Sequence, residues 1–136
     1  MIVFDVNDLK EVNDTLGHLA GDTLILNFAQ ILRNSIPQQF FVGRYGGDEF
    51  ITILSGTTQE QTEQILSEVQ RAADEFNFYN KHLHLEYAQG YAISSSYKEC
   101  SLKILLDQAD HNMYKRKHYM KEHTMVSSVS VSGSQK

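Results

Sequence analysis

The 136-residue chain is predicted to fold as one α/β domain, with helices packed on a mostly antiparallel sheet. Two observations predict this fold class. Short apolar runs and longer segments of helical period follow each other in the order strand, helix, strand, strand, helix, strand, helix. The second and third strands are separated only by a short segment that contains Gly-Gly, which is typical of an antiparallel hairpin.

Four short apolar runs are predicted to be strands. The first is Ile-Val-Phe-Asp-Val at residues 2–6, a β-branched and aromatic run that indicates a buried strand. The second and third lie at residues 40–44 and 50–54. The fourth lies within residues 83–93, where the alternation leaves room for a bulge or break near Gly90.

Three segments have apolar residues at helical spacing. A polar stretch after the first strand is expected to be a loop, and Asp22 is expected to cap the first helix. Pro37, the only proline, ends that helix. The second helix is predicted from about Thr58, a plausible cap, to Phe76.

The third helix is predicted to begin near Leu102 and to present Leu105, Ala109 and Met113 to the core. Beyond this helix the chain is rich in serine and loses helical period. We therefore expect residues 1–123 to form the domain and residues 124–136 to form a disordered tail.

Composition and charge exclude several classes of function. The net charge of −5 argues against broad binding to nucleic acid or to an anionic membrane. Cys100 is the only cysteine, so a disulfide framework and an all-cysteine zinc site are both excluded. No signal peptide and no apolar run of membrane-spanning length is visible. These features predict a cytoplasmic domain, or the cytoplasmic part of a larger protein.

The sequence Arg-Tyr-Gly-Gly-Asp-Glu-Phe at residues 44–50 places two glycines directly before two carboxylates. If the first strand pairs beside the hairpin, Asp5 lies close to Asp48 and Glu49. Such oxygen ligands suit Mg²⁺ or Mn²⁺, and Gly46 and Gly47 let the backbone approach a ligand closely. The alternative is that both carboxylates are only the polar corner of a hairpin, and spacing alone favours this alternative.

A second candidate segment is Asn-Asp-Thr-Leu-Gly-His-Leu-Ala-Gly-Asp at residues 13–22. Asn13, His18 and Asp22 offer polar groups for a purine edge, and a carboxylate suits guanine because it accepts from both N1–H and the exocyclic amine. The alternative is that Asn13 and Asp22 are loop and cap residues and that His18 is solvated. For this segment alone, the alternative is favoured.

A third candidate is a basic cluster in the last helix of an otherwise acidic chain. Lys117 and Lys121 are four residues apart and therefore share one helical face, where they can contact phosphates together. The alternative is that these residues only complement the helix dipole, which is the commoner case. The three candidates combined point to a nucleotide ligand.

The segments FDVNDLKEVNDTLGHLAGD, RYGGDEF and ADHNMYKRK together closely resemble the GGDEF domain of diguanylate cyclases. The resemblance extends from about residue 2 to about residue 121, and its motifs are highly specific. That family joins two GTP molecules into cyclic di-GMP and releases two pyrophosphates. The resemblance implies the family's fold, a central sheet with flanking helices that is similar to the palm of nucleotide cyclases and some polymerases.

The resemblance also implies a metal centre and its chemistry. Asp5, Asp48, Glu49 and the carbonyl of Val6 match metal-binding positions, with Mg²⁺ or Mn²⁺ as the expected cofactor. Asp48 also matches the catalytic base. Lys10 matches the lysine thought to stabilise charge in the transition state.

The substrate contacts implied by the resemblance involve both ends of the domain. The matching residues are Asn13 and Asp22 at the guanine, His18 as a further contact, Lys117 and Lys121 at the phosphates, and Gly46 and Gly47 beside the ligand. Each domain of this family binds one GTP, so a second GGDEF domain is the expected partner for catalysis. A sensory or regulatory domain is expected outside this chain, as part of a bacterial signalling protein.

The sequence departs from the family pattern in four respects. The helix that usually precedes the first strand is absent, which indicates a truncated domain. Pro37 and Phe40 occupy the two defining positions of the Arg-x-x-Asp inhibition motif, so no feedback site for cyclic di-GMP is expected. Lys121 replaces the usual closing arginine and loses its bidentate fork. Asn7 and Leu9 stand where Asp and Phe are frequent, which is tolerable variation.

Two classes of function follow from the sequence. The leading hypothesis is a catalytic domain that makes cyclic di-GMP. The main alternative is a non-catalytic GGDEF domain that binds GTP or a partner and regulates an attached domain. The intact signature favours the enzyme, whereas the missing first helix favours a piece that is inactive by itself. A related cyclase or polymerase-type transferase is disfavoured because the guanine-binding motif matches so closely.

Overall fold

A computed structural model describes the backbone of residues 1–134 and the side chains of residues 1–122. Its elements in chain order are β1 (Ile2–Val6), α1 (Leu9–Leu16), α2 (His18–Ser35), β2 (Phe41–Arg44), β3 (Glu49–Ile53), α3 (Gln59–Tyr79), β4 (Tyr87–Tyr91), a short 3₁₀ turn (Ser94–Ser96) and α4 (Leu102–Ser134). No helix among the described residues is both long enough and apolar enough to cross a membrane. The disordered tail predicted for residues 124–136 lies outside the residues whose side chains are described, and it stays a prediction.

The four strands form one antiparallel sheet in the order β2-β3-β1-β4. β1 is central and all five of its residues are buried, as the β-branched and aromatic run predicts. β2 and β3 form the predicted hairpin, with Arg44 opposite Phe50 at its closed end. The predicted fold class, an antiparallel sheet with flanking helices, is therefore confirmed.

The two faces of the sheet have different cores. Ile2, Phe4 and Val6 of β1 face the main core, which α2 and α3 cover. Val3 faces the smaller core formed with α4, where Ala109 and Met113 are buried. Because successive residues of a strand alternate between faces, Asp5 lies on the α4 side with Val3.

Gly90 allows α4 to lie directly on β4. A β-carbon at this position would overlap the backbone of α4 at Met113 and Ala109, so the close approach requires glycine. The predicted bulge or break near Gly90 is wrong, since β4 pairs with β1 without interruption and Gly90 stands opposite Val3. Gly90 therefore allows the helix and the sheet to pack closely and does not bend the strand.

The polar stretch predicted as a loop contains a helix. α1 covers Leu9–Leu16, and Leu9 and Val12 pack against the main core. Gly17, with φ of 92°, separates α1 from α2, so α2 begins at His18 and Asp22 lies inside the helix. Asp22 is therefore not the predicted cap. A glycine at positive φ permits this sharp change of direction between two helices, where the polar composition alone indicates a loop.

The predicted starts of α3 and α4 are confirmed. Thr58 caps α3 with a reciprocal capping box: its hydroxyl accepts from the backbone N–H of Gln61, and the Gln61 side chain accepts from the backbone N–H of Thr58. α3 continues to Tyr79, beyond the expected end at Phe76. α4 begins at Leu102, as predicted.

Tyr87 provides a test of the main core. Its ring packs against Phe4 and Phe28, and its hydroxyl donates to Oε1 of Gln70 at 3.3 Å. Burial, reinforced by Asp74, raises the pKa of Tyr87 above its ordinary value. The unfolded chain therefore loses this proton first, so the stability from a protonated Tyr87 is present below pH of about 10 and declines as the pH rises further.

We expect the Tyr87→Phe variant to lose less stability than the unaltered protein between pH 7 and pH 11. Urea unfolding at several pH values measures the difference. Equal losses in both proteins would contradict the buried, protonated state of Tyr87.

Candidate functional site

The candidate site is built at the end of the central strand. Asp5 is 6% exposed, and the antiparallel register places it directly opposite Glu49, the first residue of β3. The backbone N–H of Val6 donates to the carbonyl of Asp48 at 2.8 Å, which holds the hairpin turn against β1. The structure thus brings together Asp5, Val6, Asp48 and Glu49, the four residues predicted to bind metal.

The Gly-Gly turn is held by its own flanking residue. Arg44 donates from Nε to the carbonyl of Gly46 at 3.1 Å and from Nη2 to the carbonyl of Gly47. The backbone N–H of Tyr45 donates to the carbonyl of Glu49 at 2.8 Å and closes the loop. A β-carbon on Gly47 would meet no atom within 4 Å, so the turn is open on its outer side. A ligand can therefore approach the turn beside the two carboxylates.

Lys117 of α4 contacts Asp5 of β1 on the face of the sheet that α4 covers. Its Nζ lies 2.8 Å from Oδ2 of Asp5, and the two side chains are 26% and 8% exposed. The other oxygen of Asp5, Oδ1, is buried and has no hydrogen-bond partner among the described residues. This orphaned acceptor is a place where a cation or a donor from a ligand would be stabilised.

The electrostatics of the site reflect crowded carboxylates. Burial raises the pKa of Asp5, Lys117 opposes this shift, and Asp48 adds to it. Burial also raises the pKa of Glu49, with further contributions from Asp110, Asp5 and Asp48. Additional positive charge at this position would therefore favour the ionised forms of both groups.

A cleft of about 620 Å³ opens beside these carboxylates, between the end of the sheet and α4. Its wall includes Asp5, Glu49, Lys117 and Lys121, together with Asp107, Asp110, His111, Met113, Tyr114 and His118. A second cleft of about 620 Å³ lies at the free edge of β4 and is lined by no carboxylate. Of these two clefts, the first is the candidate site because it combines the predicted carboxylates Asp5 and Glu49 with the predicted lysines, although Asp48 is not part of its described wall.

The residues present fit a magnesium-type ion. No group of three histidine, cysteine or carboxylate side chains stands in metal-binding geometry within the described part of the chain. Mg²⁺ does not need such a cage, since it commonly uses one or two carboxylates, several waters and substrate phosphates. The orphaned Oδ1 of Asp5 and the neighbouring Asp48 match that donor set.

The predicted guanine-binding residues lie elsewhere, where α1 meets α2. Asn13 packs against Gly21, at which a β-carbon would overlap its side-chain oxygen. That oxygen is buried and has no partner among the described residues, and Asp22 follows Gly21 directly. His18 is exposed at the first position of α2. The structure thus groups Asn13 with the segment that carries Asp22.

Lys10 is exposed in the first turn of α1 and forms no ion pair with any described residue. It lies in the segment that leads from β1 to the region of Asn13. Its predicted role at a transition state stays a prediction.

Sequence reasoning missed several residues of the site. Gly21 provides the space for Asn13, Arg44 holds the turn, and Asp110 is one of the charges acting on Glu49. Asn7, noted only as a variation, carries a second buried orphan oxygen at the end of β1. Gly21, Asp22 and Arg44 belong to the motifs found in the sequence, but their contacts depend on packing between elements.

A four-stranded antiparallel sheet with carboxylates at the end of its central strands, covered by a helix that carries lysines, defines a palm-like α/β domain. Comparison with known proteins identifies the family of this domain. Residues 1–123 match the profile of the family described as "Diguanylate cyclase, GGDEF domain". The chain therefore belongs to the GGDEF family.

Individual relatives agree with this assignment. The chain is 36% identical over 119 residues to the probable diguanylate cyclase DgcI of Escherichia coli, covering 86% of this chain and 25% of that protein. It is 31% identical over 119 residues to the diguanylate cyclase DgcP of Pseudomonas aeruginosa, covering 86% of this chain and 17% of that one. This chain thus spans a quarter or less of the length of these relatives.

Solved structures show the same fold. The active GGEEF domain of a diguanylate cyclase from Vibrio cholerae superposes with a TM-score of 0.77 at 25% identity, covering 87% of this chain and 75% of that chain. The GGDEF domain of DgcB from Caulobacter crescentus, in complex with c-di-GMP, superposes with a TM-score of 0.73 at 23% identity, covering 86% and 70%.

Proposed function

We propose that this domain condenses two molecules of GTP into cyclic di-GMP with release of two pyrophosphates. The observation that carries the proposal is the meeting of Asp5, Asp48 and Glu49 at one end of β1 and β3, with Lys117 facing them from α4. Membership of the GGDEF family and the resemblance to diguanylate cyclases support the same reaction.

In the proposed reaction, Asp48 accepts the proton of a 3′-hydroxyl, whose oxygen forms a bond to the α-phosphorus of the other GTP. The bond from that phosphorus to the bridging oxygen breaks, and pyrophosphate leaves with the electron pair. Lys117 and Lys121 bind phosphates of the substrate, and Lys10 stabilises charge in the transition state. Gly46 and Gly47 leave space for the ligand.

A bound Mg²⁺ or Mn²⁺ supplies charge neutralisation for the phosphates in this proposal. Asp5, Asp48, Glu49 and the carbonyl of Val6 are the residues that would hold it. The buried Asp5 then positions the centre relative to the turn, because its backbone is fixed in the central strand.

The proposed active species contains two domains that face each other, since each contributes one GTP. Holding two nucleotides in register replaces an encounter in solution by a reaction within one complex, and this proximity is the main source of rate. The much greater length of the relatives supports a second proposal, that attached sensory or regulatory domains control the pairing.

Asp22 and Asn13 are proposed to read the guanine edge. We expect the Asp22→Ala variant to lose most of its preference for GTP over ATP, by about tenfold or more, because one carboxylate would accept two guanine N–H groups. Binding of both nucleotides, measured by calorimetry, tests this. Asp14→Ala, which removes an exposed carboxylate of α1, is the matched control. Unchanged selectivity in Asp22→Ala would contradict the proposal that Asp22 recognises guanine.

The activity itself is tested by incubating the chain with GTP and Mg²⁺, alone and fused to a dimerising coiled coil, with product detected by chromatography. We expect cyclic di-GMP to accumulate, and to do so faster in the fused form. GTP binding without product in the fused form would contradict catalysis and would favour the alternative, a GTP-binding regulatory module.

A further inference from the structure

The ammonium of Lys117 stands at a position of concentrated negative charge. It lies 2.8 Å from Oδ2 of Asp5, and both side chains are largely withdrawn from solvent. Asp48, Glu49 and Asp110 are close enough to act electrostatically on the same small region. Within the described residues, Asp5 has no other ion-pair partner.

A buried carboxylate requires a compensating charge. With Lys117 removed, Asp5 would keep one orphaned oxygen and gain a second, on a side chain that is largely buried. Lys117 is therefore the one described side chain that compensates the buried carboxylate of Asp5 with an opposite charge.

A divalent ion bound to Asp5 would face this ammonium at short range. Two cations on one carboxylate repel each other strongly where the effective dielectric is low. The side chain of Lys117 can move away, because it is long, is 26% exposed and lines an open cleft. Asp5 cannot move in the same way, since it lies in the middle strand of the sheet.

We propose that Lys117 is the counter-ion of Asp5, bonded to its Oδ2, when no divalent ion is bound, and that it moves onto the substrate phosphates when an ion binds the same carboxylate. This inference rests on the proposed function, since it assigns a second state to a lysine of the same site. It makes Lys117 a positioning residue that couples the binding of metal to the binding of nucleotide.

The coupling has a definite sign. Nucleotide phosphates withdraw Lys117 from Asp5 and thereby strengthen metal binding, and metal binding releases Lys117 and strengthens nucleotide binding by the same factor. A lysine that only contacts phosphate would leave metal binding in the absence of nucleotide unchanged. Metal affinity without nucleotide therefore separates the two roles.

The experiment measures Mn²⁺ binding without nucleotide, by electron paramagnetic resonance of free Mn²⁺. We expect the Lys117→Met variant to bind Mn²⁺ about tenfold more tightly than the unaltered protein, because a competing cation has been removed. The matched control is Lys121→Met, which removes the same charge from the same cleft but no contact with Asp5, and it should change the affinity by less than about twofold. Lys117→Arg retains a cation beside Asp5 and should remain weak in Mn²⁺ binding.

Equal affinity in Lys117→Met and Lys121→Met would overturn the exchange. Failure of every protein to bind Mn²⁺ would instead contradict both the metal requirement of the proposed function and the exchange that rests on it. The unaltered protein gives an independent reading if Lys117→Met does not fold: the Nζ resonance of Lys117 should shift on addition of Mg²⁺ over the same concentrations as the backbone resonance of Asp5. A shift at Asp5 with no change at Lys117 would also overturn the inference.

Discussion

Replacement of Asp48 by alanine is expected to lower the rate of cyclic di-GMP synthesis by about a thousandfold, the largest effect of any single substitution in the site. Asp48 combines two proposed roles, since it accepts the proton of the attacking hydroxyl and takes part in binding the metal. Its carbonyl already holds Val6 through the backbone, so loss of the side chain leaves that hydrogen bond in place. The variant should therefore fold normally and fail in chemistry.

The assay measures product formed from GTP and Mg²⁺ by the chain fused to a dimerising coiled coil. Asp48→Asn separates charge from shape, and it should be nearly as inactive as Asp48→Ala because an amide neither accepts the proton nor neutralises a cation. Glu60→Gln, which removes an exposed carboxylate on α3, is the control for net charge. Retention of a tenth or more of the activity in Asp48→Ala would exclude Asp48 as the base.

The second large effect is expected from Gly90→Ala, which should lower the free energy of unfolding by about 3 kcal/mol. The added methyl group would overlap backbone atoms of α4 at Ala109 and Met113, and backbone cannot yield as a flexible side chain can. α4 would have to lift from the sheet. Since α4 carries Lys117 and Lys121 to the cleft, nucleotide binding should weaken together with stability.

Urea unfolding of Gly90→Ala and Gly47→Ala gives a matched comparison. The same methyl group at Gly47 meets no atom within 4 Å, so its effect on stability should stay within about 0.5 kcal/mol. A Gly90→Ala protein as stable as Gly47→Ala would show that α4 does not rest on β4 as closely as the structure indicates.

The sequence predicts elements best where one local signal dominates. β1 is a β-branched and aromatic run, Thr58 has its capping partner three residues later, and the Gly-Gly segment joins two strand patterns. Each of these signals acts over a few residues and does not depend on the rest of the chain. They were sufficient to predict an antiparallel α/β sheet.

Prediction failed where packing between elements decides. The mostly polar residues of α1 predict a loop, yet Leu9 and Val12 pack on the main core and stabilise a helix of eight residues. Glycine in a strand often marks a bulge or bend, so the sequence predicts one near Gly90. The structure requires glycine at this position because α4, which is distant in sequence, packs directly against it.

The sequence by itself determined the family and the chemical types in the site, because Asp48, Glu49 and the two glycines stand together in one short motif. Only the tertiary structure decided that Lys117 bonds to Asp5, 112 residues away, and that one oxygen of Asp5 has no partner. Such contacts depend on the antiparallel register of β1 and β3 and on the close packing of α4 at Gly90. Local spacing encodes which groups are available, whereas the free energy of burying them together determines which groups meet.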